Sequence, residues 1–582
     1  MRHTTKTTTP TGTFFRAYSA RIVKSMAKRS RDDKDDVAIA QSGKRFKSSP
    51  PDRLSRLSDE LLVKVLSFLS VSQLLACQRV SHKYQKLARD DQLFKSHYYN
   101  RFVRPRASRL PGLKDVGASK DSLHFASKAA RWLDEEHLVK SGERTDWYRV
   151  YKLRHNWSQG CAAVNEIPVA EEAAIPPVLV QMSDGVVYTV DQSDGLRAWA
   201  TKEPRQLIAQ YDLPRSRYPA PPTAIAVEPF ASRRDAARIL VGFEDGAYSV
   251  FLLDQAKKRL IHQYTHPSSS NGVVSAVAVS WPYIVTMTAT QLLSVYRFPE
   301  SSSTKDIPDP PRLLHSLKSH TVWPPLSISL RATSSTVLIS VAYGLPTYLS
   351  GWTVGIQELH LSPTGSLLSS RIASAIDQHY RPLAFTSRPI IQHLTPFSTT
   401  SSAPPLALEL KHIHSKPTSL SYTHPYLLVS HPDNTLTLYL VTSTAESLSI
   451  SAGSRLWGHT SSVSGASVGN RGKAVSVSRR GDELRVWELE GGFGSTAARK
   501  RLASGDLSIQ IRPEMKAPST KDPTQAGLDL VHKTGVASSS QDVEDEPELT
   551  LTRGWIGFDD ENVVLLKEQS QGRQALVVYD FT

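Results

Sequence analysis

The chain has 582 residues, 40% of them hydrophobic and 21% charged, enough for two to four folding units of ordinary globular composition. No window holds the roughly 18 to 20 uninterrupted apolar residues of a membrane span, and the start is basic and Ser/Thr-rich rather than apolar like a secretory signal. Two cysteines, Cys77 and Cys161, exclude a disulfide framework or a Cys-built zinc site and suit a reducing compartment. The formal charge of +15 is uneven: residues 1–160 hold 33 Lys+Arg against 16 Asp+Glu, and residues 161–582 hold 37 against 39. The large C-terminal part is therefore near neutral, and a basic stripe for duplex nucleic acid is not expected on it.

Residues 1–53 read as a disordered basic tail. Met1 to Arg31 contain no acidic residue, while Arg2, Lys6, Arg16, Arg21, Lys24, Lys28, Arg29 and Arg31 are basic. Lys28-Arg29-Ser30-Arg31 and Lys44-Arg45-Phe46-Lys47 flank a twelve-residue spacer, which resembles a bipartite nuclear import signal. The same composition fits an inert solvated tail, or a mitochondrial transit peptide that a start at Met26 would largely remove. The expected location is the nucleus, the cytoplasm or both, with mitochondria as the alternative. Pro50 and Pro51 close the tail, since neither favours helix in what precedes it.

Residues 54–103 read as short helices. Ser58 can cap the first, with Asp59 and Glu60 at the positive end of its dipole. Leu61, Leu62, Val65, Leu66 and Leu69 recur at helical spacing and give one wide apolar face. Ser72 can cap a second helix carrying Leu74, Leu75, Cys77 and Val80, and Ser81 a third carrying Tyr84 and Leu87. Leu93, Phe94, Tyr98 and Phe102 add another turn. So small a module cannot bury all of these side chains in its own core, and surplus apolar surface marks a partner site.

Leu57-Ser58-Asp59-Glu60-Leu61-Leu62, then Val65-Leu66, Leu69, Leu74 and Val80-Ser81-His82-Lys83-Tyr84 fall at F-box spacing, and the segment resembles that family. The resemblance implies an all-α module that binds an Skp-type adaptor linked to a cullin scaffold. The adaptor-binding residues would be Leu57, Ser58, Leu61, Leu62, Val65, Leu66, Leu74, Val80 and Tyr84, with Leu57, Leu61, Leu62, Leu66 and Leu74 as anchors. The family motif usually has proline at Ser58, an acid at Gln73 and tryptophan at Tyr84. Ser58 keeps a competent helix start, and Tyr84 keeps an aromatic ring.

Residues 104–160 read as a helical linker. Leu123, Phe125, Trp132, Leu133 and Leu138 are amphipathic, and Trp147, Val150, Tyr151 and Arg154 share a helix face. A basic helix ending in Asn156-Trp157 resembles the linker of F-box/WD-repeat proteins, a stiff spacer between ligase scaffold and target. Direct contact with nucleic acid is the lesser reading.

From Cys161 to Thr582 the text changes to short runs of Val, Ile, Leu, Thr and Ser broken by Gly, Pro, Asn and Asp, which is all-β spacing. Runs around Trp199, Phe251, Tyr296, Trp352, Tyr439 and Trp487 share an aromatic close to an Asp/Gly turn. Intervals of about 45 to 60 residues suit four-stranded blades of a β-propeller, seven being expected and eight allowed. The long gap from Trp352 to Tyr439 reads as one blade plus a Ser/Pro-rich insertion near 397–405. Polar stretches near 300–311 and 514–548 read as disordered insertions. The last stretch, around Gly554-Trp555 and Val577-Val578-Tyr579, either completes the seventh blade or closes the ring against the first. A two-sheet sandwich is the rival fold.

The segment Trp457 to Leu489 resembles a WD repeat, with Gly458-His459 and Trp487 at the family's Gly-His and Trp. Its structural Asp position reads Gly481, with Asp482 one residue later, so the usual His-Asp network is not assured. Related propellers often read phosphorylated or extended targets with arginines near the central channel. That resemblance points to Arg197, Arg479, Arg480 and Arg485 as target-binding candidates, with ordinary exposed charges as the alternative.

Catalytic signatures do not appear. Gly469 to Ala474 lacks the first glycine and the hydroxyl residue of a phosphate-cradling loop. The glycines near Gly491 follow no βαβ pattern, and neither HExxH nor GxSxG occurs. The expectation is a multidomain chain with a small all-α F-box and helical linker before an all-β propeller. It would act as the non-catalytic substrate receptor of an SCF-type cullin-RING ubiquitin ligase, without metal or cofactor, holding an unidentified protein target. The rival is a non-ligase propeller scaffold in a nuclear assembly, with the helical ridge packed on its own chain.

Overall fold

The computed structural model describes Leu54 and residues 57–103, 145–213, 220–228, 236–299, 309–319, 322–333, 335–347, 351–375, 415–444, 446–469, 472–479, 481, 483–489, 500–501, 504–505, 508–513, 550–568 and 572–582. The basic tail, the linker stretch from Leu123 to Leu138, Arg480, Asp482 and the insertions near 300–308, 397–405 and 514–548 lie outside those residues. Two compact units divide the chain after Leu62, inside the first helix.

That helix, α1 (Asp59–Leu66), opens with Asp59 and Glu60, whose charges favour the positive end of the helix dipole. The Ser58 carbonyl accepts the Leu62 N–H at 3.1 Å. In the second unit, α2 (Val71–Cys77) starts two residues earlier than expected, because Ser70 rather than Ser72 is its cap. Gln73 closes a capping box by accepting the Ser70 backbone N–H at 2.9 Å, which satisfies a donor the helix leaves free. In α3 (His82–Leu87), Ser81 accepts the Tyr84 N–H at 3.3 Å. Then α4 (Asp91–Tyr98) runs into a π-helical turn, Tyr99–Val103. Finally α5 (Trp147–Gln159) is capped by Asp146 and ends at Gly160 with φ +71°. A Cβ there would collide with the Gln510 carbonyl as well as straining the backbone.

Downstream, seven sheets form a β-propeller. Six are consecutive blades spanning 179–211, 222–266, 274–318, 323–374, 419–456 and 463–510. The first strand of each blade neighbours the first strands of the blades on either side, and the ring returns from Thr550–Phe558 to Leu179–Ser183. The seventh blade takes three strands from the C-terminal stretch and its fourth strand, Cys161–Ala170, from the start of the domain. That strand pairs antiparallel with Gln574–Asp580, from Ala163 opposite Asp580 to Ala170 opposite Gln574. The C-terminal stretch thus does both things foreseen for it: it completes the last blade and closes the ring.

Middle strands such as Val186–Asp191, Tyr283–Thr288 and Lys473–Ser478 are buried throughout, their Ser and Thr side chains included. The core lies between blades: Tyr188 and Val190 of the first pack with Ile239, Val241 and Phe251 of the second. The recurring aromatics are all on third strands: Trp199, Phe251, Tyr296, Tyr439 and Trp487, with Trp352 at the start of its strand instead of near the end. Tyr579 holds the matching place in the seventh blade.

Candidate functional site

The helical module divides its apolar ridge into two stripes. Leu62 and Leu66 stand one turn apart on α1 and are buried, Leu62 to 1% exposure, and Leu74 on α2 is fully buried. These three expected anchors are core residues of the chain as it stands. In the first unit Leu61 is 55% exposed, and Leu57 and Ser58 are exposed as well; in the second, Val65 also remains in solvent. In the second unit Val80 is 70% exposed and Tyr84 half-buried. Phe68, 78% exposed, and Leu75 join the solvent-facing group. Sequence reasoning missed Phe68 as a site residue because it follows the last helical residue, Leu66, where helical spacing assigns no face.

Within the second unit, α5 ties α4 to the propeller. On its first half, Trp147 and Tyr151 pack with Phe94 and Tyr98 of α4. Arg101 donates to the Tyr151 hydroxyl at 2.7 Å. On its second half, Trp157 stacks on Phe581 with centroids 3.9 Å apart and donates its indole N–H to the Asp560 carbonyl at 2.9 Å. The Lys473 ammonium lies 3.6 Å from the Trp157 ring centroid. Asn156 donates to the Phe581 carbonyl at 2.8 Å, and Arg154 and Arg149 pair with Glu488 and Glu561, each at 3.1 Å. Apolar stacking, a buried cation and hydrogen bonds to main-chain carbonyls fix the helix in one orientation, which a linker of exposed ion pairs alone would not do.

All of these propeller partners lie at the end where first strands turn into second and third strands into fourth. The opposite end carries the turns between second and third strands and the crossovers between blades, and there Arg197, Arg479 and Arg485 are found. Arg197 is buried and its guanidinium is engaged inside the blade, with Asp191 at 2.7 Å, Asp194 at 3.0 Å and the Val169 carbonyl at 2.8 Å. Arg485 bonds Glu483 at 2.8 Å and the Ser508 hydroxyl at 3.0 Å. Both serve the blade's own polar network, which takes them off the surface a target would meet. Arg479 is exposed, in the turn after Lys473–Ser478.

The same blade shows how the divergent repeat works. Trp487 donates its indole N–H to the Ser476 hydroxyl at 2.8 Å, and His459 Nε2 meets that hydroxyl at 2.6 Å. His459 Nδ1 lies 3.4 Å from Glu483, which also accepts the Thr460 N–H at 2.8 Å. Burial pushes the Glu483 carboxyl up, but the bonds from Thr460 and Arg485 and the nearby His459 outweigh it and hold it below the ordinary value of 4.5. The acid comes from Glu483, two residues beyond Gly481, where sequence reasoning searched for an aspartate. In the fifth blade His431 bonds the Thr437 hydroxyl at 2.8 Å. Burial lowers its pKa to about 4, against the pull of Asp433, so it stays neutral. Among the described residues no group of three or more His, Cys, Asp or Glu is placed to hold a metal ion.

A family model described as the F-box protein pof12 beta-propeller matches residues 161–582, most of the chain. The chain belongs to the F-box protein pof12 β-propeller family. An F-box-like model matches residues 54–100 of the same chain. In this member of the pof12 propeller family, the pairing of an F-box with a propeller is the build of a substrate-receptor type protein, and the F-box implies binding to an Skp-type adaptor. F-box propeller proteins are typically non-catalytic adaptors. No curated protein matches the chain. Similar solved structures include the Cps50 (Swd1) propeller domain of Myceliophteria thermophila, 10% identical over 72% of this chain and 100% of that one, TM-score 0.36. Saccharomyces cerevisiae Sqt1 is 8% identical over 71% and 97%, TM-score 0.36. YCF48 from Cyanidioschyzon merolae is 8% identical over 72% and 99%, TM-score 0.35.

Proposed function

We propose that this chain is the substrate-receptor subunit of an SCF-type cullin-RING ubiquitin ligase. Its F-box docks on the Skp-type adaptor, the adaptor joins it to the cullin, and the propeller holds a protein target. The observation that carries the reading is the set of large apolar side chains left in solvent on and between the F-box helices, Leu61, Val65, Phe68 and Val80 above all. Such residues are costly to expose and become the dominant anchors of an interface of about 1,600 Å². The chain acts by proximity: holding a target near the ubiquitin carrier raises its effective concentration by orders of magnitude with no covalent step of its own. The clamped helix α5 supports this role, since a receptor must hold its target at a set distance from the scaffold.

The test is co-purification of tagged full-length chain with an Skp-type adaptor and a cullin. A Leu61→Asp, Phe68→Asp variant replaces side chains that are already solvent-exposed, so propeller stability is expected to stay unchanged while both partners are lost. Undiminished co-elution of the adaptor with that variant would overturn the docking surface. Turnover by the isolated chain without a ligase would overturn the non-catalytic role.

A further inference from the structure

We infer that the chain self-associates through the outer edge of its fourth blade, strand Leu367–Ser374, which pairs antiparallel with the same strand of a second copy. An unpaired edge strand is a template for further pairing, and proteins guard such edges with charge, brevity or a covering segment. The other outer strands of this propeller carry those guards. Leu207–Tyr211, Leu448–Ile450, Ser454–Leu456 and Ser508–Gln510 have five residues or fewer. Arg259–His266 and Arg312–Lys318 begin with arginine, and Cys161–Ala170 is paired with Arg512–Pro513 at its first two residues and carries the exposed Glu166 and Pro168 along the rest.

The strand Leu367–Ser374 is eight residues long and is paired on one side only among the described residues. Its single charge does not guard it. Arg371 turns inward, with Nη2 at 3.0 Å from the fully buried Glu358 carboxylate, 2.7 Å from His360 Nε2 and 3.2 Å from the Ser443 hydroxyl, while Nη1 donates to the Thr444 carbonyl. Leu368 and Ile372 are left 58% and 64% exposed, with Leu367 also in solvent. A bulge at Leu367–Leu368 ends the regular ladder, but Ser369 to Ser374 continue opposite His360 to Gly355 without interruption.

The sequence of this edge is self-complementary, which identifies the occupant. Centred on Ser370, an antiparallel copy sets Ser369 beside Arg371, whose charge is already neutralised by Glu358, and brings the exposed Leu368 at the bulge toward the exposed Ile372 of the second copy. Apolar meets apolar on both flanks, no like charges face each other, and the contact is isologous, so it closes at two copies. A dimer built this way would carry two F-boxes and two target faces.

The experiment measures the mass of the full-length chain against concentration by analytical ultracentrifugation or light scattering. The expected result is a rise from the 64.3 kDa monomer toward twice that mass. Ile372→Lys restores the missing edge charge and should weaken association by at least about tenfold, with thermal unfolding unchanged because the side chain is solvent-exposed. In a Cys77→Ser, Cys161→Ser background, Ser370→Cys should give a disulfide-linked dimer under mild oxidation, while Ser447→Cys should not. A chain that stays monomeric at high micromolar concentration overturns the inference, whether the edge is then covered by another protein or by the chain's own residues 376–414. A dimer indifferent to Ile372→Lys, or one that Ser370→Cys fails to link, overturns it equally. Adaptor binding is read separately, so failure here leaves the receptor role standing.

Discussion

Replacing Trp157 tests whether α5 is a clamp or a loosely laid spacer. The side chain is 2% exposed and belongs to a core with Val475, Val486, Ile556 and Phe581. Truncating a buried tryptophan to alanine costs about 3 to 5 kcal/mol in lost burial and cavity. The Asp560 carbonyl would lose the indole N–H, adding about 1 kcal/mol or more where water does not replace it, and the Lys473 ammonium would lose the ring beneath it. Trp157→Ala is therefore expected to lower unfolding free energy by about 4 to 6 kcal/mol. Trp157→Phe keeps much of the stack on Phe581 and should lose only about 1 to 2 kcal/mol. Urea denaturation gives the free energies. Hydrogen exchange of the α5 amides shows whether the helix opens before the blades do. If Trp157→Ala fell within 1 kcal/mol of the parent, with α5 equally protected, the clamp would not exist.

Arg197→Ala should destabilise by about 3 to 5 kcal/mol, because it strands the buried Asp191 carboxylate; a loss below 1 kcal/mol in denaturant titration would contradict its placement. His431 is held neutral with a pKa of about 4 against an ordinary 6.5. Its folded value is depressed, so below pH 6.5 the unfolded chain takes up a proton that the native chain refuses. Stability should fall by about 3 kcal/mol as pH drops from 6.5 to 4 and then level off. His431→Asn should flatten that slope, and an unaltered pH profile would refute the assignment. Gln73→Ala removes one half of the α2 capping box and should cost about 1 kcal/mol, while Gln73→Glu, which restores the acid usual in F-boxes, should be neutral or better.

The parts legible in the sequence were those with a repeat. Helical spacing around Leu61 and Leu66 gave α1, and the aromatic on the third strands marked the blades because, Trp352 apart, that position packs between neighbouring sheets. Orientation within an element was harder to read. Leu62 and Leu61 are adjacent in sequence yet one is buried and the other open, since helical spacing gives a wide face without saying which edge of it meets the core. Arg197 and Arg485 lie on strands where a neighbouring carboxylate decides whether the guanidinium turns inward, and Asp191 and Glu483 are set by turn geometry that spacing does not encode. Ser70 and Ser72 are equally good caps by type; the side chain of Gln73 selects Ser70.

The position of α5 follows from how the ring is closed. The helix ends at Gly160, and the next residue begins the strand that completes the seventh blade. That strand is held by Gln574–Asp580, and the two residues beyond it, Phe581 and Thr582, supply the stacking partner of Trp157 and the carbonyl that accepts from Lys152 at 3.3 Å. Asp580 is also ion-paired with Arg205 of the first blade. The same short C-terminal run therefore closes the propeller, joins its first and last blades and seats the helix that carries α4. A loosened ring would release the helix, and a released helix would expose the core of the closing blade. The seating of α4 and α5 and the integrity of the propeller are thus one property of this chain.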